Sequence, residues 1–430
     1  MSVTTAPELW PAPSPSAALD ATVVVPGSKS VTNRALVLTA LADGTSRLRR
    51  PLVSRDTTLM VAGLRALGIA ISTDGEDLVV VGNPGPLGPV GAAIDLGNAG
   101  TVARFLPPVA TLATGDVEFD GDPRIRERPV SALLTALRDL GADIDDGGRG
   151  AFPLTVRGRG GSAGGDVSVD ASSSSQFVTA LLLAAPRFTN GITVRHVGSP
   201  VPSAPHLEMT VAMLRAAGAD VDDSVRDVWR VAPGTLHAQD LVIEPDLSNA
   251  AAFAAAALAT AGRVHIQGWA RETTQPAALV PGLFAGMGAT CTFEEGGLTV
   301  VGPETLQGFD ADLHEGGELV PVLVALAVLA ETPSRIRGVG HIRLHETDRL
   351  AALVTQFSRL GADITETEDG LAIRPAALHG DAFSTYDDHR LAMAAAVVGL
   401  AVPGVLVENV QTTAKTMPDF AQRWSRMVAG

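Results

Sequence analysis

An internal repeat of about seventy residues is the feature that most restricts how this chain can fold. An amphipathic segment that ends at a glycine and leads into a short strand recurs along the 430 residues, and a sixth copy, DFAQRWSRMVAG, ends the sequence. Glycine is the usual residue directly after a helix, because it adopts the left-handed backbone cheaply. The glycines of the first five copies are Gly68, Gly141, Gly218, Gly288 and Gly361, which are spaced by 73, 77, 70 and 73 residues. Together with the sixth copy, this regular spacing predicts six related α/β units.

A second recurring segment alternates with the first and consists of a small or polar turn followed by an apolar helix. Its copies include PGSKSVTNRALVLTALADG, LGNAGTVARFLPPVATLATG and PDLSNAAAFAAAALATAG, and strand-like runs such as DLVVVG, GDVSVD and DLVIEP lie between. Ser, Thr, Asn, Asp and Gly at these turns suit helix N-termini. Such termini carry unpaired amides and partial positive charge, so the repeat predicts several similar sites for anions.

The composition excludes several other classes of protein. A net charge of −15 disfavours a broad nucleic-acid or anionic membrane surface. The single cysteine, Cys291, rules out an intramolecular disulfide and makes a cysteine-based metal cluster improbable, and its setting in GATCTF is typical of a strand. The proline-rich start, residues 1–19, lacks the pattern of a secretory signal. We expect it to be a mobile arm of a cytoplasmic protein.

Basic residues are concentrated in a few motifs at predicted helix starts. The chain has only two lysines, Lys29 in PGSKS and Lys415 in TTAKTMPD, which suggests that a compact ammonium is needed at each. The turn LGNAGT can bring backbone amides close to an anion, and RIRERP offers three arginines as a clamp for carboxylate or phosphate. HIRLHETDRL and DDHR place further His, Glu, Asp and Arg at helix starts.

In their order along the chain these motifs closely resemble those of the 5-enolpyruvylshikimate-3-phosphate synthases. The resemblance is carried by PGSKS-x-x-NR, LGNAGT-x-x-R, RIRERP, SSQF, HETDR, DDHR and AKTMPD, and it covers about residues 22–420. It implies an α/β fold of two similar domains, each of three βαβαββ units (an inside-out α/β barrel), with the active site in the interdomain cleft. One domain would be discontinuous, residues 1–27 plus 246–430, and the other would be residues 28–245.

The resemblance also implies a reaction. The enolpyruvyl group of phosphoenolpyruvate would be transferred to the 5-hydroxyl of shikimate 3-phosphate, and phosphate would be released, in aromatic amino acid (chorismate) biosynthesis. No metal or cofactor would be needed, neither nucleic acid nor membrane would be a partner, and the protein would be a monomer. Because Gly100 leaves space in the LGNAGT turn, we expect glyphosate to inhibit in competition with phosphoenolpyruvate.

Site residues follow from the same resemblance, position by position. The expected catalytic residues are Lys29, Glu318, which accepts the hydroxyl proton, and Glu346, which handles the proton at the methylene carbon. Ligands of shikimate 3-phosphate would be Lys29, Ser30, Arg34, Ser174, Ser175, Gln176, Ser203, Glu318, His341 and His345. Ligands of phosphoenolpyruvate would be Lys29, Asn98, Gly100, Arg128, Gln176, Arg349, Arg390 and Lys415.

The sequence departs from the commonest family pattern at four of the relevant positions. Glu318 stands where an aspartate is usual, His341 where an asparagine is common, His345 where a lysine is common and His206 where a tyrosine often stands. Substrate affinity and pH dependence are therefore less transferable than the type of reaction.

Three alternatives remain open at this point. A UDP-N-acetylglucosamine enolpyruvyl transferase would typically carry a reactive cysteine in the loop that corresponds to RIRERP, and this loop has none. An RNA-end cyclase would need a nucleic-acid surface, which the acidity disfavours. A non-enzymatic repeat scaffold would not bind small anions tightly.

Overall fold

The chain forms two compact units in the computed structural model, which describes residues 8–88 and 93–430. The described residues up to Pro26 together with Pro245–Gly430 form what we call the discontinuous unit, and Gly27–Glu244 form the continuous unit.

Helices and strands alternate along both units. The described strands are β1 (Leu9–Pro11), β2 (Asp20–Val23), β3 (Thr45–Arg49), β4 (Ala70–Asp74), β5 (Asp77–Val81), β6 (Ile94–Asp95), β7 (Thr114–Asp120), β8 (Asp143–Asp145), β9 (Leu154–Arg159), β10 (Gly165–Val169), β11 (Ile192–His196), β12 (Val221–Asp222), β13 (Val228–Val231), β14 (Asp240–Val242), β15 (Arg263–Gln267), β16 (Thr290–Glu294), β17 (Gly297–Val301), β18 (Asp310–Asp312), β19 (Ser334–Arg337), β20 (Asp363–Glu366), β21 (Leu371–Arg374), β22 (Ala382–Phe383) and β23 (Leu406–Glu408). The α-helices are α1 (Lys29–Leu41), α2 (Arg55–Ala66), α3 (Gly100–Ala110), α4 (Ser131–Asp139), α5 (Gln176–Ala184), α6 (Pro205–Ala216), α7 (Leu247–Ala259), α8 (Val280–Gly286), α9 (Val320–Ala327), α10 (Arg349–Arg359), α11 (His389–Ala401) and α12 (Phe420–Ala429).

The strands repeat one pairing pattern in the five four-stranded sheets of the described residues. The continuous unit has sheets in the orders β14-β3-β5-β4, β6-β7-β9-β8 and β10-β11-β13-β12, and the discontinuous unit has β2-β15-β17-β16 and β18-β19-β21-β20. In each of them the first pair is parallel and the next two pairs are antiparallel. A parallel pair needs a crossover, and buried helices supply it in three sheets: α3 between β6 and β7, α5 between β10 and β11, and α9 between β18 and β19. The predicted βαβαββ repeat is therefore confirmed.

Two strands belong to sheets that are distant from them in sequence. Strand β2, near the start of the chain, pairs with β15, and β14, which ends the continuous unit, pairs with β3 near its start. These two long-range pairings complete one sheet in each unit. They also explain why one unit is built from two separate stretches of chain.

The proline-rich arm is not mobile in its described part, so that prediction was wrong for residues 8–19. Strand β1 pairs antiparallel with β23, which completes a third sheet of the discontinuous unit, β22-β23-β1. Trp10 packs edge-on against Phe420 with ring centroids 6.3 Å apart, and Ala12 and Leu19 are buried. Apolar residues spaced among the prolines were the signal that this segment packs on the core.

Each unit has its own apolar core around the second helix type of the repeat. Helices α7, α9 and α11 are almost wholly buried in the discontinuous unit, and their alanines allow close packing. Helices α1, α3 and α5 have the same role in the continuous unit. Cys291 lies in β16 as predicted, and burial raises the pKa of its thiol to about 11. In the described part of the chain, no helix is long and apolar enough to cross a membrane.

The repeat glycines have the backbone conformation that the sequence predicted. Their φ angles lie between +87° and +100° just after α2, α4, α6, α8 and α10. At Gly141 an added Cβ would meet no atom within 4 Å, so the cost of a side chain there is conformational only.

We therefore expect Gly141→Ala to lower the free energy of unfolding by about 1 kcal/mol, because an L-residue is strained at φ +87°. Gly161 in the same unit also has open space around its Cα but lies outside the left-handed region. Gly161→Ala should change stability by less than about 0.5 kcal/mol. Urea unfolding of both variants tests this, and equal effects would contradict the conformational explanation.

Candidate active site

The start of α1 carries Lys29 and Ser30 in the continuous unit. Ser28 caps this helix, with its Oγ 3.4 Å from the Val31 amide nitrogen. Lys29 Nζ lies 3.6 Å from Oδ2 of Asp56, a buried carboxylate in the first turn of α2. A helix N-terminus and a lysine thus coincide, as the anion-site hypothesis requires.

Arg34, one turn further along α1, is almost completely buried, and its donors are directed to protein acceptors. Its Nε donates to Thr210 Oγ1 at 2.8 Å, Nη1 to the Ser30 carbonyl at 2.9 Å and Nη2 to the His206 carbonyl at 3.1 Å. Arg34 therefore fixes the turn that bears Ser30 against the start of α6. The sequence-based role for Arg34, direct contact with a substrate, remains a prediction.

The LGNAGT turn and the RIRERP loop meet beside the start of α3. Arg128 Nη1 donates to the Asn98 carbonyl at 3.1 Å, and Asn98 Oδ1 lies 3.4 Å from the same atom. The partly exposed Arg124 and the exposed Arg126 form ion pairs with Glu127 and Asp120 at 2.6 and 2.7 Å. Arg128, the arginine that the motifs single out in this loop, is the one that reaches the turn.

Gly100 is the first residue of α3, and its Cα is surrounded by cationic groups. A Cβ built there would lie 2.6 Å from Arg128 Nη2 and 2.8 Å from Arg104 Nη1. Arg104 donates to the Gly100 and Pro129 carbonyls, both at 3.0 Å, and its guanidinium lies 5.7 Å from the Phe177 ring centroid. Sequence reasoning missed this buried arginine, although it is the last residue of LGNAGT-x-x-R.

The serine run and Ser203 lie at the starts of α5 and α6. Ser174 Oγ accepts a hydrogen bond from the Gln176 amide at 3.2 Å, whereas Ser175, the N-cap residue of α5, makes no side-chain capping hydrogen bond among the described contacts. Gln176 Oε1 is buried and has no hydrogen-bond partner within the described ranges, so it is a candidate to bind a ligand donor. Ser203 has a φ of +57° just before α6.

In the discontinuous unit, Arg349 is the centre of a buried charged network. Its Nε donates to Asp388 Oδ2 at 2.7 Å and its Nη2 to Glu346 Oε2 at 2.9 Å. The other Glu346 oxygen accepts from Lys415 Nζ at 2.5 Å. Burial disfavours the guanidinium charge, but the carboxylates of Asp388 and Glu346 outweigh that cost and raise the pKa of Arg349. The network brings together Glu346, Arg349 and Lys415, whose roles toward the substrates remain predictions.

Arg390 and Glu318 meet at the start of α7. Arg390 Nη1 donates to Asn249 Oδ1 at 3.0 Å, and its Nη2 lies 3.5 Å from Glu318 Oε2. The same Glu318 oxygen accepts from Ser248 Oγ at 3.1 Å. Asp388, the N-cap of α11, was missed by sequence reasoning as the partner of Arg349, although it lies within DDHR.

Three histidine rings lie close together near the segment before α10. The His341 ring lies 5.6 Å from the His314 ring and 6.0 Å from the His345 ring, centroid to centroid. His345 Nδ1 lies 2.9 Å from Arg349 Nη1, and because a guanidinium only donates, His345 accepts here as a neutral imidazole. Burial, with the nearby charges of His314 and Arg349, lowers the pKa of His341 to about 4. His341 Nε2 is buried without a hydrogen-bond partner among the described residues.

Each unit thus presents basic side chains at helix starts, held in place by buried acceptors. Such groups can bind carboxylate and phosphate, and the neighbouring carboxylates of Glu318 and Glu346 can accept or donate protons. Among the described residues, no group of three or more His, Cys, Asp and Glu side chains is arranged to hold a metal ion.

Comparison with solved structures gives the class of fold. The chain superposes with a TM-score of 0.82 on an EPSP synthase from Acinetobacter baumannii, at 24% identity and over 96% of this chain and 97% of that one. It superposes with a TM-score of 0.75 on the enolpyruvyl transferase NikO from Streptomyces tendae, at 18% identity and over 96% of each chain. The fold is that of the enolpyruvyl transferases.

Sequence comparison gives the family. The model of the EPSP synthase (3-phosphoshikimate 1-carboxyvinyltransferase) family matches residues 13–424. A 3-phosphoshikimate 1-carboxyvinyltransferase from Kocuria rhizophila is 51% identical over 98% of this chain and 97% of its own length. The chain belongs to the EPSP synthase family. This is the shikimate-pathway enzyme family that transfers the enolpyruvyl group from phosphoenolpyruvate to shikimate 3-phosphate, and the predicted activity is confirmed at that level.

The lowered pKa of His341 predicts a pH-dependent stability. The unfolded chain binds a proton at this residue near its ordinary pKa of 6.5, whereas the folded protein does so only near 4, so stability is lost as the pH falls through this window. When the pH falls from 7 to 5, the free energy of unfolding of the wild type should fall by up to about 2 kcal/mol more than that of His341→Asn. Urea unfolding at both pH values measures this, and parallel losses in the two proteins would refute it.

Proposed function

We propose that the basic and acidic residues described above carry out the enolpyruvyl transfer in the roles expected from the motifs. The observation that carries this proposal is the network of Lys415, Glu346, Arg349 and Asp388, which holds two cations and two carboxylates together. Since the two substrates must react with each other, both units would contribute to one site. We further propose a cytoplasmic monomer.

Phosphoenolpyruvate would be held by cations from both units. Its carboxylate and phosphate need several donors, and Arg349, Arg390 and Lys415 supply them from the discontinuous unit. Asn98, Gly100, Arg128, Gln176 and Lys29 would supply them from the continuous unit. The buried acceptors matched to these cations support the assignment, because they fix each charged group before the ligand arrives and so reduce the cost of ordering it.

Shikimate 3-phosphate would bind at the starts of α1, α5 and α6. The candidate ligands there are Lys29, Ser30, Arg34, Ser174, Ser175, Gln176 and Ser203, and Glu318, His341 and His345 would bind from the other unit. The contacts of Arg34 favour a division of labour in which it orients Ser30 while the helix amides and Lys29 bind the phosphate. Gln176 Oε1 and His341 Nε2, which have no hydrogen-bond partner among the described residues, suit hydroxyl groups of the shikimate ring.

The chemistry would proceed by addition followed by elimination. The 5-hydroxyl oxygen bonds to the substituted carbon of phosphoenolpyruvate while a proton reaches the methylene carbon. Loss of a proton from the resulting methyl group and departure of phosphate then restore the double bond. Glu318 is the proposed acceptor of the hydroxyl proton. Glu346, hydrogen-bonded to Lys415 at 2.5 Å, is the proposed proton carrier at the methylene carbon.

The purified protein should release phosphate only when both substrates are present. Lys29→Ala should lower kcat by about 100-fold or more, because it removes a cation proposed to touch both substrates. Arg47, an exposed residue paired with Asp74, offers a control, and Arg47→Ala should retain wild-type rates. Phosphate release with a UDP-sugar acceptor instead would overturn the proposal, and wild-type turnover in Lys29→Ala would remove the role of Lys29.

Glyphosate should inhibit the wild type in competition with phosphoenolpyruvate. Gly100→Ala should raise its inhibition constant at least about tenfold, because the added methyl group must displace Arg128 or Arg104 or enter the ligand space. The KM for phosphoenolpyruvate should rise as well, and that for shikimate 3-phosphate should change little. Steady-state inhibition measurements check this, and an unchanged inhibition constant would exclude Gly100 from the site.

A further inference from the structure

We infer that Asp387 and Asn409 form a latch that positions Lys415 relative to Arg349, and that both are positioning residues for the binding of phosphoenolpyruvate. The inference rests on the proposed function for the role of Lys415. The latch itself is a feature of the structure, since it joins the turn before α11 to the 3-10 helix that carries Lys415.

Two hydrogen bonds make the latch. Asn409 Nδ2 donates to Asp387 Oδ1 at 2.6 Å, and Thr412 Oγ1 donates to the Asp387 carbonyl, also at 2.6 Å. Asn409 directly precedes the 3-10 helix Val410–Lys415, and Thr412 lies within it. Both ends of this helix are therefore anchored, the beginning by Asp387 and the end by the ion pair of Lys415.

These contacts close a ring with the charged network. Lys415 binds Glu346, which binds Arg349, which binds Asp388, and Asp388 is the neighbour of Asp387 in sequence. Apart from the latch and the covalent chain, the links of this ring are the ion pairs among Lys415, Glu346, Arg349 and Asp388. The latch is the link that a phosphoenolpyruvate anion would not compete for.

The backbone at the latch is held in an uncommon conformation. Tyr386, Asp387 and Asn409 have φ angles of +51°, +57° and +48°. Left-handed residues other than glycine persist where the surroundings fix them, and Asp and Asn tolerate this conformation better than most. The side chains suited to the latch are thus also those suited to its backbone.

The latch lies at the surface, so it can be altered without opening the core. Asp387 is exposed and Asn409 is half-buried, whereas Asp388 and Lys415 are buried. A change at Asp387 or Asn409 therefore reaches the charged network only through the chain that connects them. Such a change should make the position of the Lys415 side chain less fixed, and it should not unfold the protein.

Asn409→Ala removes the donor, and Asn409→Asp places two carboxylates opposite each other. Each change should raise the KM for phosphoenolpyruvate about tenfold, which is less than the roughly 100-fold effect that misplacing a binding group by 1 Å can have. The KM for shikimate 3-phosphate should change less than about twofold. The double variant Asp387→Asn with Asn409→Asp exchanges donor and acceptor and should restore the wild-type KM. Thr332→Ala, which removes an exposed hydroxyl that accepts from the Gly308 amide in the same unit, is the matched control and should behave as wild type.

A second readout does not depend on the reaction. Because the chain has only Lys29 and Lys415, amine-reactive labelling followed by mass spectrometry can follow each of them. Lys415 should label severalfold faster in Asn409→Ala, Lys29 should not change, and the double variant should label as the wild type does. Unchanged labelling of Lys415, or a KM that the exchange does not restore, would overturn the latch. A wild type that labels as expected but releases no phosphate would overturn the proposed function and, with it, the role of the latch in binding.

Discussion

The buried ion pair between Arg349 and Asp388 is the interaction on which the charged network of the discontinuous unit depends. The two side chains are 3% and 0% exposed, and two hydrogen bonds of 2.7 and 3.2 Å join them. Removing one partner of such a pair leaves an uncompensated buried charge, at a cost of about 3–5 kcal/mol. Asp388 also caps α11, so one carboxylate sets both the helix start and the direction of the Arg349 guanidinium.

The repeated fold explains why such pairs occur where they do. Each repeat ends its first helix type at a left-handed glycine and begins its second type at a turn with free amides. Lys29, Arg349 and Arg390 lie at helix starts, Arg128 reaches the start of α3, and Lys415 ends the 3-10 helix Val410–Lys415. In a chain with a net charge of −15, these cations concentrate positive charge where we propose that anionic substrates bind.

Local features of the fold could be predicted from the sequence, and distant pairings could not. The conformation of Gly141 depends on its own helix end, so its motif predicted it correctly. The pairing of β14 with β3 joins residues more than 190 positions apart in sequence, and the pairing of β2 with β15 joins residues more than 240 positions apart. No local pattern encodes these pairings. The pairing of β1 with β23 was missed for the same reason.

For the candidate site too, the local motifs could be predicted from the sequence, and the contacts between distant residues could not. Motif order identified Lys415, Glu346 and Arg349, which the fold brings into direct contact. Motif order singled out Arg128 in the loop RIRERP, but the sequence does not show that Asp120 and Glu127 pair with the other two arginines. Asp388 and Arg104 act through buried contacts with residues brought together by folding, so their roles became visible only in three dimensions.

We propose that these preorganised cations hold phosphoenolpyruvate. A crystal structure with shikimate 3-phosphate and a non-reacting analogue of phosphoenolpyruvate bound would test this proposal most directly. We expect Lys415, Arg349 and Arg390 to contact the analogue, and Arg349 to keep its bonds to Asp388. An analogue bound elsewhere, with these three residues still engaged only with Glu346, Asp388, Glu318 and Asn249, would contradict it.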